Sequence, residues 1–181
     1  MAHIKEKYLN HQDILSVIRK IDRNLEGYQR KFRLYCIGGT YLAFSGIDES
    51  SKDIDFILSH EDFRALSGII AEIELKDKIR IDLFPDGEMP NFKLPNYDGH
   101  SSRVLSLDHL NVYKIDMVDF VLIKAIAGRV QDYKDIEKLV KDKSLMHKEK
   151  LIERFNELEI AKNKEDDIKR KFWAFIDEFY R

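Results

Sequence analysis

Tyr35-Cys36-Ile37-Gly38-Gly39-Thr40, continuing through a polar turn to Lys52-Asp53-Ile54-Asp55-Phe56-Ile57-Leu58, is the stretch from which the rest of the chain is read. It opens on an apolar, strand-like run that breaks at a glycine pair. A short apolar segment from Tyr41 to Phe44 follows, then a polar turn from Gly46 to Lys52. The next apolar run carries two carboxylates alternating with Ile54 and Phe56. Strand side chains alternate faces, so Asp53 and Asp55 are expected to point the same way. Like charges held that close are costly unless a cation sits between them. A solvated strand edge would tolerate such a pair, but Ile54, Phe56, Ile57 and Leu58 mark a buried strand, where unpaired carboxylates are expensive. A glycine pair at a strand end could be a plain tight turn. It also lets backbone N–H groups approach a phosphate with no Cβ in the way. Taken in succession, the two features describe a site for magnesium and a triphosphate. Thr40 to Phe44 is then expected to begin a helix whose N-terminus faces the phosphates.

Downstream, Phe63, Leu66, Ile69, Ile70 and Ile73 recur at helical spacing, predicting a helix over Glu61–Glu74 that starts near Ser59 or His60. It reads as a crossover helix returning the chain to the sheet. Ile79 to Phe84 then alternates, with Arg80 and Asp82 on one face. If this strand neighbours the Asp53–Asp55 strand, Asp82 completes a cluster of carboxylates. The plainer alternative makes Arg80 and Asp82 a solvent-facing pair on an edge strand.

Gly38-Gly39-Thr40, then Asp53-Ile54-Asp55, then the single carboxylate Asp82 resembles the nucleotidyltransferase superfamily of DNA polymerase β-like folds. The resemblance is closest to the small prokaryotic nucleotidyltransferases related to the AbiEii and MenT toxins. Those carry a helix with a lysine, then an arginine and spaced aspartates, here Lys124, Arg129, Asp132 and Asp135. The resemblance covers about Tyr35 to Val140. It implies transfer of a nucleoside monophosphate from an NTP to a hydroxyl acceptor, with release of pyrophosphate. It makes Asp53, Asp55 and Asp82 the catalytic residues and the ligands of the cofactor, Mg²⁺. It makes Gly38, Gly39, Thr40, Lys52, Lys124 and Arg129 nucleotide-binding, with Lys124 a point charge on the phosphates. The acceptor stays open between tRNA, a protein hydroxyl and a small molecule such as an aminoglycoside. One departure is visible: family members commonly carry an arginine and a threonine before the first metal aspartate. Here Glu49-Ser50-Ser51-Lys52 stands in that place, and Ser51 alone echoes the threonine. A second reading is a non-catalytic nucleotide-sensing or partner-binding module of a toxin–antitoxin or phage-defence pair, with an antitoxin partner. The carboxylate trio disfavours it, since a pure binding module has no need of converging negative charges.

The flanking sequence is read more simply. Ile14, Leu15, Val17, Ile18, Ile21 and Leu25 give an amphipathic helix from Asp13, with Gly27 as its stop. The stretch Pro85 to Ser102, with Pro85, Pro90, Pro95, Gly87 and Gly99, reads as a loop. Short strands are expected at Val104–Leu107 and Leu110–Ile115, with His109 in the turn between them. Asp116 is a good N-cap for a helix over Val118–Ala127, with Asp119 as the far half of a capping box. Asp132 and Asp135 begin and tether a helix over Tyr133–Val140. Leu151, Ile152, Phe155 and Leu158 define one further helix, and Ile168, Phe172, Phe175, Ile176 and Phe179 another. The last packs on the core or in a subunit interface, which would make a homo-oligomer.

The expected fold is α/β (α+β), a small mixed β-sheet nucleotidyltransferase core over residues 1–115 and a C-terminal helical subdomain over 116–181. A chain of 181 residues is long enough for one sizeable core. The formal net charge of −2 argues against a bulk electrostatic grip on nucleic acid. No apolar run approaches the length of a membrane span, and Met1–Glu6 lacks the apolar core of a signal peptide. The one cysteine, Cys36, excludes an intramolecular disulfide and a cysteine-rich zinc site, and fits a reducing cytoplasm.

Overall fold

A computed structural model describes residues 8–47, 51–140 and 146–181. The chain divides into two compact units, residues 1–85 with 102–114, and residues 86–101 with 115–181. The expected polar turn falls partly on residues 48–50, and the signal-peptide reading on residues 1–6; these lie outside the described residues.

The first unit is built on a five-stranded sheet in the order β3-β2-β1-β6-β5. Its strands are β1 (Phe32–Cys36), β2 (Asp53–Leu58), β3 (Arg80–Pro85), β5 (Ser102–Ser106) and β6 (Leu110–Lys114). β1 runs antiparallel to β2 and parallel to β6, β2 runs parallel to β3, and β5 closes an antiparallel hairpin with β6. The sheet is therefore mixed, as the sequence predicts. Helix α3 (His60–Asp77) supplies the crossover that the parallel β2–β3 pair requires. Ser59 caps it, its hydroxyl accepting the Asp62 N–H.

Strand alternation gives this sheet two unlike faces. Phe32, Leu34, Cys36, Ile54, Phe56, Leu58, Leu110 and Val112, on one face, are all fully buried. Ile14, Val17, Ile18 and Ile21 of α1 (His11–Arg23) and Leu66, Ile70 and Ile73 of α3 are buried in the same unit. Burying each such aliphatic side chain is worth about 1.5–3 kcal/mol, which is what holds these helices in place. Helix α1 begins two residues earlier than the apolar pattern suggests. Asn10 and Asp13 form a capping box there, each side chain accepting the other's backbone N–H. The opposite face carries Arg33, Tyr35, Asp53, Asp55, Arg80, Asp82 and Tyr113, and the rings of Tyr35 and Tyr113 stack with centroids 5.0 Å apart.

The second unit is helical, with α4 (Met117–Ala127), α5 (Val130–Leu139), α6 (Lys148–Asn156) and α7 (Glu165–Phe179). Asp116 caps α4 by accepting the Val118 N–H, and Gly128 ends it at φ 67°. Helix α5 starts three residues before the predicted Tyr133, because Asp132 at its third position accepts the Arg129 backbone N–H. Phe155 and Phe172 stack within the core that α6 and α7 share with Phe120, Leu122 and Ile126 of α4. The proline-rich stretch is mostly loop, as expected, but contributes β4 (Phe92–Lys93), which pairs with β7 (Glu159–Ile160). Asp119 differs from its expected role as half of a capping box. It is 1% exposed and is engaged by the guanidinium of Arg154, which also donates to the Pro95 carbonyl and so pins the loop. No helix among the described residues is long and apolar enough to cross a membrane.

Candidate active site

The site is assembled by register. In the parallel pair β2–β3, Asp55 stands opposite Asp82 and Asp53 opposite Arg80, so all four side chains leave the same face. Asp53, Asp55 and Asp82 are half-buried and each offers an oxygen within 4.8 Å of the others. The condition attached to Asp82 in the sequence, that its strand neighbour the first pair, is met. The plainer alternative holds at the same time. β3 is the edge strand, and Arg80, its side chain 70% exposed, grips Asp82 through Nε to Oδ1 and Nη2 to Oδ2, both at 2.9 Å. The Asp82 hydrogen bond, with smaller help from the charges of Asp53 and Asp55, raises the Arg80 pKa further above its ordinary value.

The glycine pair is bound to this cluster by contact. Gly38 adopts φ +54°, and a Cβ there would overlap the Asp55 carboxylate. Only glycine provides both the left-handed backbone and that room. A Cβ on Gly39 would overlap the Ser51 hydroxyl. Thr40 is fully buried, and its hydroxyl accepts the Asp55 N–H at 3.0 Å, while the Ile37 N–H donates to the Asp55 carbonyl at 3.2 Å. The glycine turn and α2 (Gly38–Phe44) therefore fix the backbone of the middle carboxylate.

Ser51 joins three parts of the site. Its hydroxyl donates to Asp53 Oδ1 at 3.4 Å, and its backbone N–H and carbonyl both pair with Leu9. Lys52, next in the chain, is exposed and holds its ammonium 5.5 Å from the Tyr8 ring. Glu49 and Ser50 lie outside the described residues.

Lys124, Arg129, Asp132 and Asp135 belong to the second unit and form a network there. Lys124 is 6% exposed, and its ammonium donates to Asp132 Oδ1 at 2.9 Å and Asp135 Oδ2 at 2.6 Å. Arg129 adds a fork onto Asp132, and Gln131 donates to Asp135. Burial pushes the Asp132 carboxyl up, but hydrogen bonds from Arg129 and Lys124 outweigh it and hold it below the usual carboxylate range. The lysine is thus neither a surface charge nor an unengaged one.

Two charged anchors escaped the sequence reading. Asp62 is 4% exposed and accepts both from Arg30 and from the Arg33 backbone N–H. Arg154 meets Asp119, as described above. A signal for the second exists: Arg154 falls on the same helical stripe as Leu151, Phe155 and Leu158, where a charge signals a buried partner.

A family model described as "Nucleotidyltransferase of unknown function (DUF6036)" matches residues 12–179. No curated protein matches the chain. Among solved structures it is similar to a crystal structure from Thermotoga maritima described as a "putative nucleotidyltransferase". That likeness has 15% identity and a TM-score of 0.48, and covers 76% of this chain and 98% of that one.

Proposed function

Because the chain belongs to this family of nucleotidyltransferases, we propose that it is a Mg²⁺-dependent enzyme moving a nucleoside monophosphate from an NTP to an acceptor hydroxyl. One observation carries the reading: the convergence of Asp53, Asp55 and Asp82 within 4.8 Å, against a glycine turn whose first residue has room for nothing larger. The donor set suits the cation. Mg²⁺ takes oxygen ligands and is commonly held by one or two carboxylates together with substrate phosphates. Asp53 and Asp55 would hold it between them and the triphosphate, with Asp82 opposite Asp55 completing the set. Bound there, it would neutralise phosphate charge and lower the pKa of the attacking hydroxyl.

The chain's own groups supply positioning. The Gly38–Gly39 turn, packed against Asp55 and Ser51, would offer backbone N–H groups to a phosphate, and Lys52, the residue before β2, would add an exposed positive charge. Thr40 supports the site from behind by fixing the Asp55 backbone. The acceptor oxygen forms a bond to the α-phosphorus while the bond from that phosphorus to the bridging oxygen breaks, and pyrophosphate leaves with the electron pair. The hydroxyl proton passes to Asp82 or to solvent. In such chemistry the protein contributes mainly geometry and charge neutralisation. Kinship with the AbiEii- and MenT-related enzymes, and with it a toxin role, an antitoxin partner and a tRNA, protein or small-molecule acceptor, rests on the quoted residues; the family match stops at nucleotidyltransferase.

Melting curves with each NTP test the reading. A ligand held at about 100 times its Kd stabilises the native state by about 2.7 kcal/mol, so at least one NTP should raise the melting temperature with Mg²⁺ and not with EDTA. No shift with any of the four nucleotides would overturn it.

A further inference from the structure

Among the described residues, one side chain that grips the carboxylate cluster is not among those assigned to catalysis. Arg80 holds Asp82 by both oxygens, a bidentate arrangement that is among the stronger carboxylate contacts. Register places its Cα opposite Asp53, and the charge of Asp53 acts on the same guanidinium. A divalent cation that takes Asp82 as a ligand would approach a carboxylate already paired with the positive charge of the Arg80 guanidinium. Two cations on one carboxylate repel, and the repulsion is strongest where the cluster is half-buried.

We propose that Arg80 competes with the divalent cation for Asp82 and thereby sets the metal affinity of the site. This rests on the nucleotidyltransferase reading, and it makes Arg80 a positioning residue that tunes the third carboxylate rather than a group that touches the reacting atoms. The arrangement has a consequence for selectivity. A cation bound tightly without nucleotide would have to displace the fork, whereas one arriving with a triphosphate brings negative charge that offsets Arg80. The arginine therefore favours the metal–nucleotide complex over the bare ion. Its side chain is 70% exposed, so it swings away from Asp82 without disturbing the core.

A structural role for Arg80 predicts the opposite sign. If the fork served to hold Asp82 in a ligating position, removing it would weaken metal binding. Mn²⁺ binding followed by electron paramagnetic resonance, without nucleotide, separates the two. Under the proposal Arg80→Gln binds Mn²⁺ about five-fold more tightly than the wild type, the effect of removing one nearby charge at a partly solvated site. The gain shrinks as salt is raised, because an exposed charge is screened. Arg80→Lys, which keeps the charge and loses the fork, stays within about two-fold of the wild type on the same grounds. Equal or weaker binding by Arg80→Gln overturns the proposal while leaving the metal site standing, provided that wild-type binding is lost in Asp53→Asn. Mn²⁺ binding that Asp53→Asn does not change would overturn the metal site itself, and this inference with it.

Discussion

Asp55 on β2 and Asp82 on β3 face each other across a parallel strand pair, brought there by the α3 crossover although twenty-six residues separate Asp55 and Asp82 in sequence. The pairing follows from two local facts. Parallel neighbours need a crossover, and α3 provides one whose apolar face is buried with Ile14 and Ile18. Strand alternation then decides which side chains meet, and a slip of one residue would send Asp82 to the buried face and Ile81 to the site.

The glycine at the head of α2 should be irreplaceable for a reason distinct from backbone strain. Gly38 and Gly128 both have positive φ, at 54° and 67°, but only at Gly38 would a Cβ overlap a carboxylate. Gly128→Ala should lose about 1–2 kcal/mol of stability, the ordinary penalty of the left-handed region, and keep its activity. Gly38→Ala should lose at least as much and also bind Mn²⁺ more weakly, since Asp55 must move. Denaturant unfolding and Mn²⁺ titration of both variants check this, and Gly38→Ala with wild-type metal binding would contradict it.

Lys124 is expected to matter for folding. Replacing it by Met keeps the length of the side chain but leaves Asp132 and Asp135 buried together without the ammonium between them. Breaking a buried pair on one side costs about 3–5 kcal/mol. The urea midpoint should fall accordingly. A loss under about 1 kcal/mol, the range of exposed pairs, would contradict the network as described.

The same network fixes a pH response. The Asp132 carboxyl, raised by burial but lowered further by Arg129 and Lys124, lies below its unfolded value. A depressed carboxyl contributes stability that is fully present above the unfolded pKa, about 3.9, and is lost as the pH falls through the folded value. Asp132→Asn should therefore melt below the wild type at neutral pH, and the gap should close below about pH 4. Melting curves from pH 7 to 2.5 measure it; a gap that widens on acidification would contradict the sign.

Much of this site could be read from the sequence because its logic is local. The alternation of Asp53 and Asp55 with Ile54 and Phe56, the glycine pair, and the strand–helix–strand order each involve few residues and one periodicity. The small mixed sheet was legible for the same reason. What escaped is what only tertiary contact decides. Nothing near Lys124 in sequence says that its ammonium turns inward to Asp132 and Asp135, because a lysine late in an amphipathic helix commonly points to water. Asp119 looks like a helix-capping carboxylate, and the partner that claims it, Arg154, lies thirty-five residues away. The β4–β7 pair is too short for any periodicity to announce it. Arg80 and Asp82 were offered as an edge-strand pair, with Asp82 alternatively completing a carboxylate cluster; the fold pairs them on the edge strand and also brings Asp82 within 4.8 Å of Asp53 and Asp55.

The central claim is that the carboxylate cluster carries out nucleotidyl transfer, and transfer of label from an α-labelled NTP tests it most directly. Wild-type protein, Mg²⁺ and cell extract should yield label on RNA, protein or a small molecule. Asp53→Asn and Asp55→Asn keep side-chain shape and remove the charges that bind the cation, so each should reduce transfer by several orders of magnitude. Their melting temperatures in EDTA should stay level or rise, because neutralising either residue removes a like-charge penalty on one strand face. Loss of transfer in stable variants is the result this account predicts; variants that unfold readily yet transfer label at the wild-type rate would contradict it.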